Sequence, residues 1–118
     1  MRFLRAFTAL VLLACSAFAA PTIVIDAGHG GGDEGTEWRK VAEKDLTLQV
    51  ARRLEKILRE NHIHTIMTRQ CDSYVSLDER AQIANLYPEA LLVSIHFNGS
   101  YNSDVNGFEI FAFRGSPT

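Results

Sequence analysis

Residues 22–32, with the sequence TIVIDAGHGGG, join a short β-branched run to a cluster of glycines. Such a run predicts a buried β-strand, and the glycines that follow it predict a flexible loop. His29 stands within this loop, shortly after the strand. Because ligand sites in parallel sheets lie beyond the carboxyl ends of the strands, His29 is the first candidate functional residue.

An amphipathic helix is predicted downstream of this loop, beginning at Glu43 and ending near Asn61. Apolar residues recur there at helical spacing, namely Leu46, Val50, Leu54, Ile57 and Leu58. Glu43 and Asp45 also place negative charge in the first turn, where the helix dipole favours it. The predicted helix therefore starts on a carboxylate.

The rest of the chain continues the alternation of strands and helices. Residues 64–68 predict a second strand, and Ser76 with Glu79 forms a capping-box pattern that opens a second helix. Residues 91–96 form a nearly continuous apolar strand that ends on a histidine, and residues 108–113 predict a fourth strand. The order β-α-β-α-β-β predicts an α/β domain with a mostly parallel twisted sheet, flanked by helices through right-handed crossovers.

Three candidate metal ligands come together in this predicted fold. His29 follows the first strand, His96 ends the third, and Glu43 opens the helix that packs back from the same edge. We therefore expect all three at one rim of the sheet. Two imidazoles and a carboxylate, with a fourth position open, are typical of a hydrolytic zinc site. Taken singly, each residue also fits a local role as a turn cap, a strand-end histidine or a helix-dipole carboxylate.

Nucleotide and nucleic-acid binding are disfavoured by the sequence. The loop at residues 28–33 lacks the third glycine of the dinucleotide fingerprint, and no Lys-Ser/Thr pair completes a phosphate-binding loop. The formal net charge is −2 and no basic stripe is present. We therefore expect no nucleic-acid partner.

Other ionisable residues are assigned structural roles. His62 and His64 flank the start of the second strand and are expected at the surface. Arg69, Asp72 and Arg80 could contact a substrate, but we favour an ion-pair network that holds the loop at residues 72–75.

The first twenty residues have the features of a secretory signal peptide. Two cations precede an apolar stretch at residues 7–15, and small residues follow it. This pattern predicts cleavage after Ala19 or Ala20, which leaves a single domain at residues 21–118. The mature chain is then expected in the periplasm or secreted, with no stable membrane span because the apolar stretch is shorter than a spanning helix requires.

The two cysteines lead to separate expectations. Cys15 stands in a tetrapeptide that resembles a lipoprotein signal, so lipid attachment at Cys15 is an alternative to simple cleavage. With Cys15 removed, Cys71 would be the remaining cysteine, and no disulfide framework is expected.

Five blocks of the sequence together carry a family resemblance. They are IVIDAGHGG at residues 23–31, EKDL at 43–46, TR at 68–69, LDER at 77–80 and SIHFN at 94–98. In this order and at these spacings they resemble the zinc-dependent N-acetylmuramoyl-L-alanine amidases, which are cell-wall hydrolases. The resemblance extends from Ile23 to about Phe113.

The resemblance implies a site, a cofactor and a substrate. It implies that His29, Glu43 and His96 bind Zn²⁺, the same three residues that the predicted fold brings together. It also implies hydrolysis of the amide between N-acetylmuramic acid and the L-alanine of the stem peptide, so the expected substrate is peptidoglycan or a muropeptide.

The sequence departs from that family in its last part. In the family a second glutamate from a late strand serves as general base, and the block that carries it is not found here. Glu109 and Glu34 are the nearby carboxylates that we consider as substitutes. We expect the chain to be the N-terminal part of an amidase catalytic domain. The alternative is a catalytically incomplete zinc-bearing domain that binds or regulates at the cell wall.

Overall fold

The computed structural model describes residues 21–102 and 104–112. The predicted signal peptide at residues 1–20, including Cys15, lies outside this part of the chain, as does Phe113 at the end of the predicted fourth strand. Within the described residues, no helix is long and apolar enough to cross a membrane.

A parallel sheet forms the centre of the fold. The regular elements are, in chain order, β1 (Thr22–Ala27), β2 (Glu37–Trp38), β3 (Val41–Ala42), α1 (Glu43–Glu60), β4 (His64–Met67), α2 (Leu77–Asn85) and β5 (Leu91–Ile95). β1 lies between β4 and β5, and both neighbours run parallel to it. The predicted mixed α/β fold with a parallel sheet is therefore confirmed, and the carboxyl ends of all three strands meet at one edge.

α1 packs against the sheet through one apolar face and closes the hydrophobic core. The buried core residues come from β1, β4 and this helix, and they are Ile25, Ala27, Leu48, Ala51 and Met67. Leu54 and Leu58 continue the same helical face beside them. Leu54 and Leu58 belong to the predicted apolar pattern, whereas Val50 and Ile57 of that pattern are exposed. The core thereby fixes the first turn of α1 at the carboxyl edge of the sheet.

Local hydrogen bonds define the ends of both helices. The Asn61 side chain donates to the Ile57 carbonyl oxygen at 2.8 Å, where α1 ends. At the start of α2, the Ser76 hydroxyl accepts from the Glu79 amide, and the Glu79 carboxylate accepts from the Ser76 amide at 2.7 Å. The predicted capping box is therefore confirmed.

Two parts of the chain differ from the sequence prediction. β2 and β3 form a short antiparallel hairpin that was not predicted, because two-residue strands are too short to show a period. The fourth strand predicted at residues 108–113 is wrong for residues 108–112, which form no strand. Phe108, Ile110 and Phe111 are exposed there, and no described strand pairs with them. Alternation alone does not make a strand, because a strand requires a hydrogen-bonding neighbour.

Asp26 is a buried carboxylate that ties the three strands together at their carboxyl ends. It accepts hydrogen bonds from the Thr68 hydroxyl at 2.7 Å, the Ser94 hydroxyl at 2.7 Å and the Arg80 guanidinium. Burial by itself raises the pKa of Asp26, but the hydrogen bonds from Ser94, Arg80 and Thr68 outweigh it and hold the pKa below its usual value. Asp26 is therefore an ionised partner of Arg80.

Replacement of Asp26 tests the importance of this buried ion pair. We expect Asp26→Asn to lower the free energy of unfolding by about 3–5 kcal/mol, because Arg80 is left buried without its counter-ion. Asp45→Asn is the control, because Asp45 is an exposed first-turn carboxylate. Denaturant unfolding at pH 7 measures both changes, and an equal loss in the two variants would contradict the role given to Asp26.

The same pair predicts a dependence of stability on pH. Because the pKa of Asp26 is lower in the folded chain, its ionised form stabilises the fold above the unfolded pKa of about 3.9. This contribution is lost as the pH falls through the lower folded pKa. We therefore expect the difference in unfolding free energy between wild type and Asp26→Asn to shrink below about pH 4. A difference that stays constant over this range would show that Asp26 is not ionised in the fold.

Candidate metal centre

His29, Glu43 and His96 converge at the carboxyl edge of the sheet. Glu43 Oε1 lies 3.2 Å from His29 Nε2 and 3.3 Å from His96 Nδ1. The two imidazole nitrogens are 3.2 Å apart. One ligand atom from each residue therefore falls within 4.8 Å of the others, an arrangement that could hold a metal ion. The structure brings together all three residues that the sequence singled out as candidate ligands.

Glu43 is held as a fixed carboxylate by two backbone amides. Its Oε2 accepts from the Thr36 amide at 2.9 Å, and its Oε1 accepts from the Phe97 amide at 2.7 Å. Burial alone raises the pKa of Glu43, but these two amides and the neighbouring His29 lower it below its usual value. Glu43 thus faces the two imidazoles as an acceptor. These amide donors could not be predicted from the sequence, because backbone amides carry no residue-type signal.

His29 has an unusual backbone conformation. Its φ of 60° lies in the left-handed region, which is strained for a residue with a side chain. The carbonyl oxygen of His29 accepts from Arg80 Nη2 at 2.8 Å. The strained turn is therefore anchored directly to the guanidinium that pairs with Asp26.

The Asp33 carboxylate orients the His29 ring. His29 Nδ1 lies 2.9 Å from Asp33 Oδ2, and Asp33 Oδ1 accepts from the Gly35 amide. The hydrogen bond from His29, followed by that from the Gly35 amide, lowers the pKa of Asp33, so this carboxylate only accepts. Asp33 therefore holds the ring through Nδ1, and Nε2 is the ring nitrogen that faces Glu43 and His96. Sequence analysis missed Asp33, whose signal was its position four residues after His29 in the same loop.

His96 approaches the cluster over the backbone of Gly28. A Cβ atom at Gly28 would lie 2.6 Å from His96 Nε2 and 2.7 Å from its Nδ1. The glycine is therefore required for the ring to reach its place. The His96 side chain is 45% exposed, whereas that of Glu43 is 5% exposed, so the cluster is open on the His96 side.

Arg69 and Arg80 support the glycine-rich loop from beneath. Arg69 is buried, and its guanidinium donates to the carbonyl oxygens of Ala27, Gly28 and Lys44. Arg80 donates to the carbonyl oxygens of Ala27 and His29. Both guanidiniums thus satisfy backbone acceptors of the loop rather than facing the cavity.

Lys44 and Asp72 hold the same loop at Gly31. Lys44 Nζ donates to the Gly31 carbonyl oxygen at 2.8 Å and to Asp72 Oδ2 at 3.1 Å. Asp72 Oδ1 accepts from the Gly31 amide at 2.7 Å. These contacts support a structural role for Arg69, Arg80 and Asp72, but the predicted ion-pair network differs in its partners. Arg80 pairs with Asp26, Asp72 pairs with Lys44, and Arg69 donates to backbone carbonyl oxygens of the loop that carries His29.

The candidate ligands open into a cavity whose wall includes Glu109. Residues from 97 to 109 form much of this wall, together with Gly35 and Thr36. Glu109 Oε2 accepts from Asn98 Nδ2 at 3.0 Å. Glu34, the other carboxylate considered, lies 3.9 Å from Lys44 Nζ and does not line this cavity. Of the two candidate bases, only Glu109 shares the cavity with the cluster.

The remaining histidines and the described cysteine lie apart from this cluster. His62 and His64 are exposed, as the sequence predicts, and His64 Nδ1 lies 3.3 Å from the Thr22 hydroxyl. Cys71 is a free, exposed thiol. None of the three belongs to the group of candidate ligands found among the described residues.

The fold and the site together define an α/β domain with a candidate metal centre at the carboxyl edge of its sheet. A protein-family model described as N-acetylmuramoyl-L-alanine amidase matches residues 23–117. The chain therefore belongs to the N-acetylmuramoyl-L-alanine amidase family. The matched region contains the three candidate ligands. It also contains the side chains that hold the loop, namely Lys44, Arg69, Asp72 and Arg80.

Individual relatives agree with this assignment. A Haemophilus influenzae protein, named as a probable N-acetylmuramoyl-L-alanine amidase AmiB, is 40% identical over 100 residues, which are 81% of this chain and 23% of that protein. A sporulation-specific N-acetylmuramoyl-L-alanine amidase of Bacillus subtilis is 38% identical over 81% of this chain and 38% of its own length. The chain thus spans less than half of either relative.

A solved structure shows the same fold. The catalytic domain of CwlV, an N-acetylmuramoyl-L-alanine amidase from Bacillus (Paenibacillus) polymyxa var. colistinus, superposes with a TM-score of 0.70 at 37% identity. The match covers 74% of this chain and 50% of that structure. The parallel sheet and its flanking helices are therefore those of an amidase catalytic domain.

Gly28→Ala tests the close approach of His96. The added methyl group would overlap the His96 ring, so we expect the ring to rotate outward and leave the cluster. Gly32→Ala is the matched control, because a Cβ at Gly32 meets no atom within 4 Å. Nitrogen-15 NMR of the histidine rings should show shifted His96 signals in Gly28→Ala and unchanged signals in Gly32→Ala. Unshifted signals in Gly28→Ala would contradict the contact.

Proposed function

We propose that this chain is a zinc-dependent amidase that hydrolyses the bond between N-acetylmuramic acid and L-alanine in peptidoglycan. The observation that carries the proposal is the His29, Glu43 and His96 cluster, which opens into a cavity in a chain of the amidase family. A peptidoglycan substrate is consistent with action outside the cytoplasm. We include in the proposal the predicted signal peptide and delivery to the periplasm or the cell exterior.

The donor set suits zinc. Two imidazole nitrogens and one carboxylate oxygen are the ligands of many catalytic zinc sites, which keep one position for water or substrate. A zinc ion bound there would polarise the amide carbonyl and make water more acidic. The open side of the cluster, next to the half-exposed His96, faces the cavity where a substrate amide would enter.

The chain's own residues prepare the ligands for this role. The Thr36 and Phe97 amides hold Glu43 in one orientation, and Asp33 holds the His29 ring with its Nε2 toward the cluster. Ligands fixed in advance lose less conformational entropy when the ion binds. A metal-binding role is thus supported by the hydrogen bonds that hold Glu43 and His29, in addition to the three residue types.

Glu109 is our candidate for the general base. A general base must lie within hydrogen-bonding reach of the reacting water or amine. Glu109 lines the same cavity, and its hydrogen bond from Asn98 directs the carboxylate. The family resemblance assigns this work to a different glutamate, so Glu109→Gln tests Glu109 separately from the reaction itself.

Release of stem peptide from a soluble muramoyl peptide tests the proposed reaction. Mass spectrometry of the zinc-loaded chain should detect free stem peptide, and His96→Ala should abolish its release because a ligand is lost. His64→Ala is the matched control, since His64 is an exposed histidine outside the cluster. We expect Glu109→Gln to reduce the rate by roughly 10²-fold or more if Glu109 is the base.

The outcomes separate the alternatives. No release by folded, zinc-loaded wild type would favour a domain that binds or regulates at the cell wall without turnover. Release that persists at the wild-type rate in Glu109→Gln would retain the amidase and remove Glu109 from its mechanism.

Asp33→Asn tests the orientation of His29 without reference to turnover. An asparagine lacks the charge of Asp33 and can present its amide group to His29 Nδ1. We therefore expect the zinc affinity to fall by about 10- to 100-fold, which is typical when a metal-binding histidine loses its hydrogen-bond partner. Competition with a chromophoric chelator measures the affinity. Glu34→Gln, one residue along the same loop, should change it by less than about twofold, and an equal loss in both variants would contradict the role of Asp33.

A further inference from the structure

The β2–β3 hairpin has an unfavourable choice of turn residues. Trp38 pairs with Val41, and Arg39 and Lys40 occupy the two turn positions between them. Their φ angles are 49° and 65°, so both turn residues are in the left-handed region. A two-residue turn with this geometry favours Asn-Gly, because residues with larger side chains are strained there. The sequence thus places two cations at the tip of the hairpin where a glycine would be more stable.

Trp38 adds an exposed aromatic ring to this tip. It is 66% exposed, and the Arg39 guanidinium carbon lies 4.2 Å from the ring centroid. The cation therefore covers one face of the indole by a cation–π contact and leaves much of the ring accessible. Trp38 is not among the buried or partly buried residues of the hydrophobic core. Its ring is available to a ligand rather than used by the fold.

The base of the hairpin is part of the wall of the candidate metal centre. The Thr36 amide donates to Glu43 Oε2, and the Glu43 amide donates to the Thr36 carbonyl oxygen at 2.8 Å. Thr36 lines the same cavity as the cluster. Trp38 is two residues further along, which is roughly 7 Å of extended strand. The two residues of β2 therefore join the hairpin tip to the cavity wall at Thr36.

The charges at the tip suit an anionic polymer. Neither Arg39 nor Lys40 makes an ion pair with a carboxylate of the described residues. The chain as a whole has a formal net charge of −2, so it has no general attraction for anions. Two cations without a carboxylate partner among the described residues would supply that attraction near the cavity.

We propose that Trp38, Arg39 and Lys40 form a subsite for polymeric peptidoglycan, which we call the hairpin-tip subsite. The apolar face of a sugar ring packs on the accessible part of the Trp38 indole, while Arg39 and Lys40 pair with carboxylates of the stem peptides. This assignment of the ligand rests on the proposed function. The subsite would hold the polymer while the cavity engages one amide.

Co-sedimentation with purified sacculi tests the hairpin-tip subsite. The zinc-loaded chain is titrated with sacculi on ice, and the sacculus concentration at half-maximal binding is compared between variants. We expect Trp38→Ala to raise this concentration by about five- to tenfold, because a stacked ring contact is lost. Phe111→Ala is the control, since Phe111 is an exposed aromatic residue that does not line the cavity.

A double substitution tests the two charges while preserving the turn. Arg39→Asn with Lys40→Gly introduces the pair that this turn prefers, so the melting temperature should be unchanged or higher. We expect weaker binding to sacculi and a flatter dependence of binding on salt, because the ion pairs are lost. If Trp38→Ala proves destabilised, the double variant still tests the subsite, because its melting temperature shows that it is folded.

The measurements distinguish a failure of the hairpin-tip subsite from a failure of the proposed function. Binding by either variant that equals wild type overturns the hairpin-tip subsite. Release of stem peptide from the short muramoyl peptide by wild type tests the proposed function alone. A wild type that releases peptide but binds sacculi no more tightly than Trp38→Ala would therefore refute the subsite and leave the amidase in place.

Discussion

The buried ion pair between Asp26 and Arg80 links the three strands of the sheet to the loop that carries His29. Asp26 lies near the end of the central strand and also accepts from Thr68 and Ser94, one at each neighbouring strand. Arg80 continues from this carboxylate to the carbonyl oxygen of His29. The Asp26 carboxylate therefore fixes the relative positions of three strands. Through Arg80 it also fixes the turn that carries His29. Removal of a partner from such a pair is costly because the other charge stays buried.

The candidate metal centre combines strain with strong anchoring. His29 has a left-handed backbone, a conformation that costs about 1–3 kcal/mol in a residue other than glycine. Charge-assisted hydrogen bonds from Arg69 and Arg80 to the loop carbonyls offset that cost. Glu43 is fixed independently, because the core holds α1 and two amides hold its carboxylate. The ligands are thus placed by the fold rather than by one another.

The sequence predicts those parts of the molecule that follow from periodicity and from strand direction. The spacing of Leu54 and Leu58 predicts α1, and the parallel order predicts that His29 and His96 share an edge. The contact between Asp33 and His29 depends on loop geometry that has no period, and so does the short β2–β3 hairpin. The strand expected from residue 108 requires a neighbouring strand, and alternation in one segment carries no information about its neighbour.

Zinc K-edge X-ray absorption of the chain loaded with one equivalent of zinc decides whether His29, Glu43 and His96 bind the ion. We expect one tightly bound zinc with two imidazole nitrogens and a carboxylate oxygen at about 2.0–2.2 Å, and the loss of one imidazole contribution in His29→Ala. A sulfur ligand at about 2.3 Å would instead place the ion at Cys71. That result, or a spectrum unchanged by His29→Ala, would contradict a metal centre built from His29, Glu43 and His96.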